Sequence, residues 1–331
     1  ALDCVDHLCF GSESGDVVSC QKLGQVLDKE PEEFQNFLRD SLKEGLPFPA
    51  ARKSALKKYL EARHDQSFSG DALFSGIENL LDSPNNLLGI EYCKALSRLN
   101  SRISPVTVKR EGAGYHDESL SQPLSSATAV RRLLTGPKYE DMPLEKLLAY
   151  TQPDSVAAFT KDLLSWDLPV TEDDFSLLLK YRLLLHTPEE LAGFADVSLD
   201  LARRIIRERN HFASFSQFIS LLKTREMTYT RISRALLHIL LSITKEDMSE
   251  TPGYVRLLGF RKESSSLLRM LQDSSRIPVI TKAADYRKML PEDCRKAFEK
   301  DLFCADLYES VKAEKSQKTF VSDLQKSPVI L

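Results

Sequence analysis

Glycine is scarce in this chain, 13 of 331 residues, about half the usual share of roughly 7%. That scarcity argues against a turn-rich β protein and favours helices. Long apolar runs are lacking too. The stretch Ala235–Ile243 already contains His238 and falls far short of the ~20 residues that a membrane-crossing helix needs, so no membrane partner is expected. The first ten residues, ALDCVDHLCF, carry no basic run and no cleavage pattern, so no signal peptide is expected. Cys4, Cys9, Cys20, Cys93, Cys294 and Cys304 include no C-x-x-C pair. They read as reduced, mostly buried thiols of a cytoplasmic protein, not as a disulfide framework or a metal site. There is no P-loop, no H-E-x-x-H and no G-x-S-x-G, which removes the common signatures of nucleoside triphosphatases, zinc proteases and serine hydrolases.

What is present is a globular composition. Net charge is −3 and 42% of residues are hydrophobic, and the length accommodates two domains. Val5–Phe10 is a short apolar run that reads as a strand. Gly11–Asp16 reads as a polar loop at its C-terminal end, the end where open α/β sheets bind ligands. Residues 16–63 read as three helices, one with Pro31 at its start and Gly45 at its end; Lys53, Lys57 and Lys58 read as a solvated face. Ser83 or Asn85 is placed to cap a helix running to about Asn100. SRISPVTVKR, residues 101–110, alternates around β-branched residues and reads as a strand, followed by the loop EGAGYHDE. Ser125 or Ser126 then caps a helix that ends at Gly136 and Pro137. This order is the back half of a parallel α/β unit. From residue 139 the periodicity is helical almost throughout, with a strand expected only at RIPVIT, residues 276–281. The chain does not begin with Met, and its opening resembles the end of a buried strand, so a fragment of a longer protein is expected.

Two constellations carry chemistry. A doubly wound sheet brings strand ends and the following loops to one rim. Gly11-Ser12-Glu13, Pro84-Asn85-Asn86, Lys109-Arg110, Gly114-Tyr115-His116-Asp117 and Ser125-Ser126-Ala127-Thr128 would meet there. Gly11 allows close approach of a nucleotide to backbone, and an asparagine amide can read an adenine edge or a ribose hydroxyl. The helix start offers N–H groups and hydroxyls to a phosphate, with Arg131 able to fold back over it. Arg110 and Arg131 would neutralise a triphosphate as pyrophosphate leaves. The second constellation is basic: Leu201–Leu240 holds eight Arg and Lys against two Glu, in a chain that is acidic overall. Such asymmetry is the footprint of a polyanion partner. Phe212 and Tyr229 are candidates for stacking on unpaired bases. DVSLDLARRIIRERNHFASFSQFISLL also resembles a helix-hairpin-helix module without the glycine of its hairpin.

Taken together, FGSESGD at 10–16, SPNNLLGIEYCKAL at 83–96, LNSRISPVTVKREGAGYHDE at 99–118, SSATAVRRLL at 125–134, LLKYRLL at 178–184, KTREMTYTRISRALLHILL at 223–241 and YVRLLGF at 254–260 resemble the tRNA(Met) cytidine acetate ligase family of the nucleotidyltransferase superfamily. The resemblance implies an α/β fold, the C-terminal part of a Rossmann-like nucleotidyltransferase domain over 1–138 followed by an all-helical, tRNA-binding domain over 139–331. It implies that ATP and acetate form acetyl-adenylate, which acetylates the wobble cytidine of elongator tRNA(Met). By this match Gly11, Asn85 and Arg110 contact ATP, and Ser125, Ser126, Thr128 and Arg131 lie by its phosphates, with Mg2+ as the counter-ion of ATP. Arg203, Arg204, Arg207, Lys223, Arg225, Arg231 and Arg234 are the expected RNA contacts; no protein partner is inferred. The family's first strand and its H-x-G-H-type motif lie ahead of the point where this sequence starts. Roughly 60–100 residues, two or three βα units, are therefore expected to be missing, and this chain alone is expected to be incomplete and inactive. The rival expectations are a non-catalytic tRNA-binding fragment and another adenylyltransferase acting on a small substrate.

Overall fold

A computed structural model describes residues 2–62, 80–112, 124–135, 148, 153, 156–158, 160–161, 169–249 and 253–331. Two compact units divide the chain, one running over Val5–Leu133 and the other over Asp154–Leu331.

In the first unit, β1 (His7–Ser12) is followed by α1 (Val17–Lys29), α2 (Glu32–Lys43), α3 (Phe48–Ala62), α4 (Pro84–Arg98), β2 (Ser104–Lys109) and α5 (Ala127–Thr135). β1 and β2 pair in parallel, with Phe10 opposite Thr107 and Ser12 opposite Lys109. Alternation along β1 buries Phe10 and Ser12 and leaves Cys9 and Gly11 exposed. The strand therefore extends two residues beyond the expected Phe10. The ladder continues because the Arg110 N–H donates to the Ser12 carbonyl at 2.9 Å. Phe10, Cys20, Leu23, Leu27, Phe34, Leu56, Tyr59, Leu60, Ile90 and Cys93 form the core. Phe10 packs so closely on α4 that a Cβ at Gly89 would lie 2.3 Å from its ring. Only Cys20 and Cys93 of the six cysteines are buried; Cys9 is exposed on the open face of β1. The expectation of mostly buried thiols is corrected accordingly.

In the second unit, α6 (Ser176–Leu185), a short helical turn at Pro188–Leu191, α7 (Leu199–Glu208), α8 (Phe215–Leu222) and α9 (Tyr229–Leu240) close around one core. Leu179, Leu183, Leu201, Ile205, Phe215, Phe218, Leu222, Ile232, Leu236 and Ile239 fill it. Each of α7, α8 and α9 is capped by a hydroxyl oxygen, from Ser198, Ser214 and Thr228 respectively. The chain then forms β3 (Val255–Arg256), β4 (Gly259–Phe260), α10 (Ser265–Ser274), β5 (Val279–Ile280), α11 (Glu292–Lys315) and β6 (Val329–Ile330). The strand expected within 276–281 is β5, paired in parallel with β3, and β4 pairs in parallel with β6. These two-residue pairs are too short for an alternating pattern to register in the sequence. Below them lies a second small core of Ile280, Tyr286, Leu290, Phe298 and Leu302. Leu307 of α11 packs on the first core, and Lys300 and Lys315 of the same helix pair with Asp247 and Asp174.

Candidate functional site

The rim at the C-terminal ends of β1 and β2 is built by a dense set of hydrogen bonds. The Gly15 N–H donates to Ser12 Oγ at 3.0 Å. Ser12 Oγ lies 2.7 Å from Thr107 Oγ1, and the Thr107 hydroxyl donates to the Phe10 carbonyl at 3.1 Å. Thr107 has one proton to give, so Ser12 is the donor between the two hydroxyls. This relay fixes the turn that leaves β1. Asp16 then caps α1, accepting from the Ser19 N–H at 3.1 Å.

Asn85 and Asn86 tie that turn to the start of α4. Asn85 Nδ2 donates to Glu13 Oε1 at 2.7 Å, and the Asn86 N–H donates to Glu13 Oε2 at 3.0 Å. The Ser14 N–H donates to Asn86 Oδ1 at 3.1 Å. Burial of Glu13 works to raise its carboxyl, but the hydrogen bond from the Asn85 side chain and those from backbone N–H groups outweigh it and hold Glu13 below the ordinary carboxylate value. Asn85 thus sits inside the first turn of α4 with its side chain on Glu13, and Ser83 holds the N-cap position without a side-chain capping hydrogen bond, so neither residue caps the helix as expected.

Gly11 and Arg110 are exposed at the same strand ends. A Cβ at Gly11 would meet only ordinary contacts, the nearest 3.7 Å away on Arg110. Nothing in the protein's own packing demands glycine there. Gly112 has φ +96, and a Cβ there would lie 2.5 Å from Leu124 Cβ. That close approach brings the end of β2 beside the start of α5. Ser126 is buried and accepts from the Ala129 N–H at 3.0 Å, so its hydroxyl oxygen is the cap of α5. Ser125 and Thr128 are half-buried at this helix start, and Arg131 is exposed one turn on. Gly114, Tyr115, His116, Asp117, Gly136 and Pro137 lie outside the described residues. The rim therefore brings together Gly11, Asn85 and Arg110, with the Ser126 cap following Leu124. Sequence reasoning missed the tie made by Glu13, whose one signal was an acid just past a strand in a chain that also starts a helix with paired asparagines.

The basic set lies in the second unit, and its members are not equivalent. Arg203, Lys223, Arg225 and Arg231 are exposed and make no ion pair among the described residues. Arg204 is half-buried, and its Nη1 donates to the Leu222 carbonyl at 3.1 Å, joining α7 to the end of α8. Arg207 pairs with Glu208 at 2.9 Å. Arg234 donates to Asp196 through Nε at 2.6 Å and Nη2 at 3.3 Å. Asp196 holds a left-handed φ of +60; chiefly through the Arg234 hydrogen bond its carboxyl is kept below the ordinary value. Phe212 is corrected as a stacking candidate. It is 5% exposed, with its ring 4.8 Å from that of Phe218, because the hairpin between α7 and α8 needs an apolar plug. Tyr229 is exposed at the start of α9, and its hydroxyl donates to Glu172 at 3.3 Å.

Residues 1–323 match the family described as HIGH Nucleotidyl Transferase. A tRNA(Met) cytidine acetate ligase of Acetivibrio thermocellus is 34% identical over 310 residues, covering 92% of this chain and 72% of the relative. One from Clostridium perfringens is 36% identical over 286 residues, covering 85% of this chain and 67% of the relative. Among solved structures, the apo form of Thermotoga maritima TmcAL superposes with a TM-score of 0.81 at 24% identity, over 100% of this chain and 78% of that one. The same protein bound with alpha-thio ATP gives a TM-score of 0.80. At this identity the likeness to both structures is one of fold.

Proposed function

The chain belongs to the HIGH nucleotidyl transferase family, and from that premise we propose ATP-dependent acetylation of the wobble cytidine of elongator tRNA(Met) as the reaction it takes part in. Acetate attacks the α-phosphorus of ATP, giving acetyl-adenylate and releasing pyrophosphate. The cytidine N4 amine then attacks the acyl carbon, giving N4-acetylcytidine and AMP. The relatives named tRNA(Met) cytidine acetate ligase support the choice of reaction. The observation that carries it to particular residues is the rim, where one carboxylate ties Asn85 and Asn86 beside exposed Gly11 and Arg110.

The nucleotide role falls to residues 1–138. Gly11, Asn85 and Arg110 contact ATP, and Ser125, Ser126, Thr128 and Arg131 lie by its phosphates; Ser126 acts through the capped helix start, since its oxygen is already used. Arg110 offsets charge as pyrophosphate leaves. Holding two reactants in line accounts for much of the rate in such a site, which needs no protein nucleophile. Mg2+ enters as the counter-ion carried by the phosphates; among the described residues no group of three or more His, Cys, Asp or Glu side chains is placed to hold a metal ion. Residues 139–331 hold the tRNA, through Arg203, Lys223, Arg225 and Arg231 most directly, with Arg204, Arg207 and Arg234 shaping the surface. Acetate is the acyl donor.

The test is nucleoside analysis by mass spectrometry after incubating the protein, expressed from its complete gene, with ATP, acetate and elongator tRNA(Met). N4-acetylcytidine at the wobble position, dependent on both ATP and acetate, is the expected result. Binding of tRNA without product would support the non-catalytic reading, and an adenylylated small molecule with no tRNA requirement would support the other adenylyltransferase.

A further inference from the structure

We propose that Glu13 is a positioning residue that fixes which atom of the Asn85 amide faces the nucleotide, and thereby selects the nucleoside half of ATP. The inference rests on the ATP site proposed above. A primary amide presents an acceptor at one end and donors at the other, and its two orientations have nearly the same shape. Here the choice is forced. Glu13 Oε1 takes a hydrogen bond of 2.7 Å from Asn85 Nδ2, while Oε2 is held by the Asn86 N–H at 3.0 Å. A carboxylate only accepts, so turning the amide over would set Asn85 Oδ1 against an oxygen of like partial charge. Asn86 locks the arrangement from behind, because its own Oδ1 accepts from the Ser14 N–H at 3.1 Å, one residue beyond Glu13.

The consequence is chemical. Of the two Nδ2 hydrogens of Asn85 one is committed to Glu13 and one remains; the acceptor that the fixed orientation offers a ligand is Oδ1. It fits a hydrogen-bond donor of the nucleoside, and in ATP the donors are the N6 amine of adenine and the ribose hydroxyls. A guanine or hypoxanthine base presents an acceptor in place of that amine and would meet oxygen with oxygen. Sites that hydrogen-bond a donor reject analogues lacking it far more strongly than apolar sites reject a missing methylene.

The experiment is calorimetric binding of ATP, ITP, 2′-deoxy-ATP and 3′-deoxy-ATP to the full chain, its Glu13→Gln and Glu13→Asp variants, and each variant combined with Asn85→Ala. Melting curves show which proteins are folded. Wild type is expected to bind ATP at least about 10-fold more tightly than the analogue that lacks the donor. A loss confined to ITP assigns the N6 amine; a loss confined to a deoxynucleotide assigns that hydroxyl. In Glu13→Gln, whose amide can pair with either orientation of Asn85, that ratio is expected to collapse towards one, while affinities for the remaining analogues hold. Glu13→Asp, which keeps the carboxylate, is expected to retain part of the ratio, and neither change should alter it further once Asn85 is alanine. A purely structural role for Glu13 would weaken all four ligands alike, and that result overturns the proposal, as does an unchanged ratio in the Glu13→Gln protein. Wild type that binds ATP with no preference also overturns it while leaving the ATP site standing. Wild type that binds no nucleotide overturns the ATP site, and this inference with it.

Discussion

The Glu13 carboxylate accepts from Asn85 and from the backbone of Asn86, so the folded chain holds its proton less tightly than the unfolded one, whose ordinary value is near 4.5. The resulting stabilisation is complete above that value and is lost as pH falls through the lower folded one. Thermal melting between pH 6 and pH 3 should therefore show a smaller acid-induced drop for Glu13→Gln than for wild type; parallel curves would count against this tie. Gly89 makes a different kind of demand. A Cβ there would lie 2.3 Å from the Phe10 ring, and overpacking of this kind costs about 1–3 kcal/mol. Gly89→Ala should lower the melting temperature, and adding Phe10→Leu, which vacates the space, should recover part of the loss.

At the scale of elements, the capped start of α5 shows where sequence and structure agree and where they part. The Ser-Ser-x-Thr spelling pointed to a cap, and Ser126 is that cap. Ser126→Ala should cost about 0.5–2 kcal/mol, read as faster hydrogen exchange at the Ala129 N–H than at α1. The parallel strands and the long helices were legible because burial of one face imposes a period on the sequence. The exact end of β1 was not, since Gly11 and Ser12 read as loop by composition and are strand by hydrogen bonding to β2. β3, β4 and β6 are too short to leave a pattern. The basic stretch was legible as charge but not as geometry. Nothing local in the sequence says that Arg234 is held by Asp196, 38 residues away, or that Arg204 reaches the last turn of α8. That difference makes a prediction within α9. Arg231→Ala should reduce the slope of log affinity for tRNA against log salt by about 0.7–0.9, the value of one phosphate contact, and Arg234→Ala should reduce it by less. Equal effects would mean that Asp196 releases Arg234 to the RNA.

At the scale of the whole molecule, a chain with net charge −3 carries a net positive stretch over Leu201–Leu240. Under the proposed function this stretch would attract tRNA in a chain that is acidic overall, and added salt would weaken that attraction steeply. No helix among the described residues is long and apolar enough to cross a membrane. Exchange of labelled pyrophosphate into ATP shows whether the rim activates acetate with ATP before any RNA is involved. Label is expected to enter ATP when acetate is added, without tRNA, and Arg110→Ala is expected to reduce the exchange. Exchange that ignores acetate, or acetate-dependent exchange that is wholly absent while ATP is bound, would show that the rim does not activate acetate.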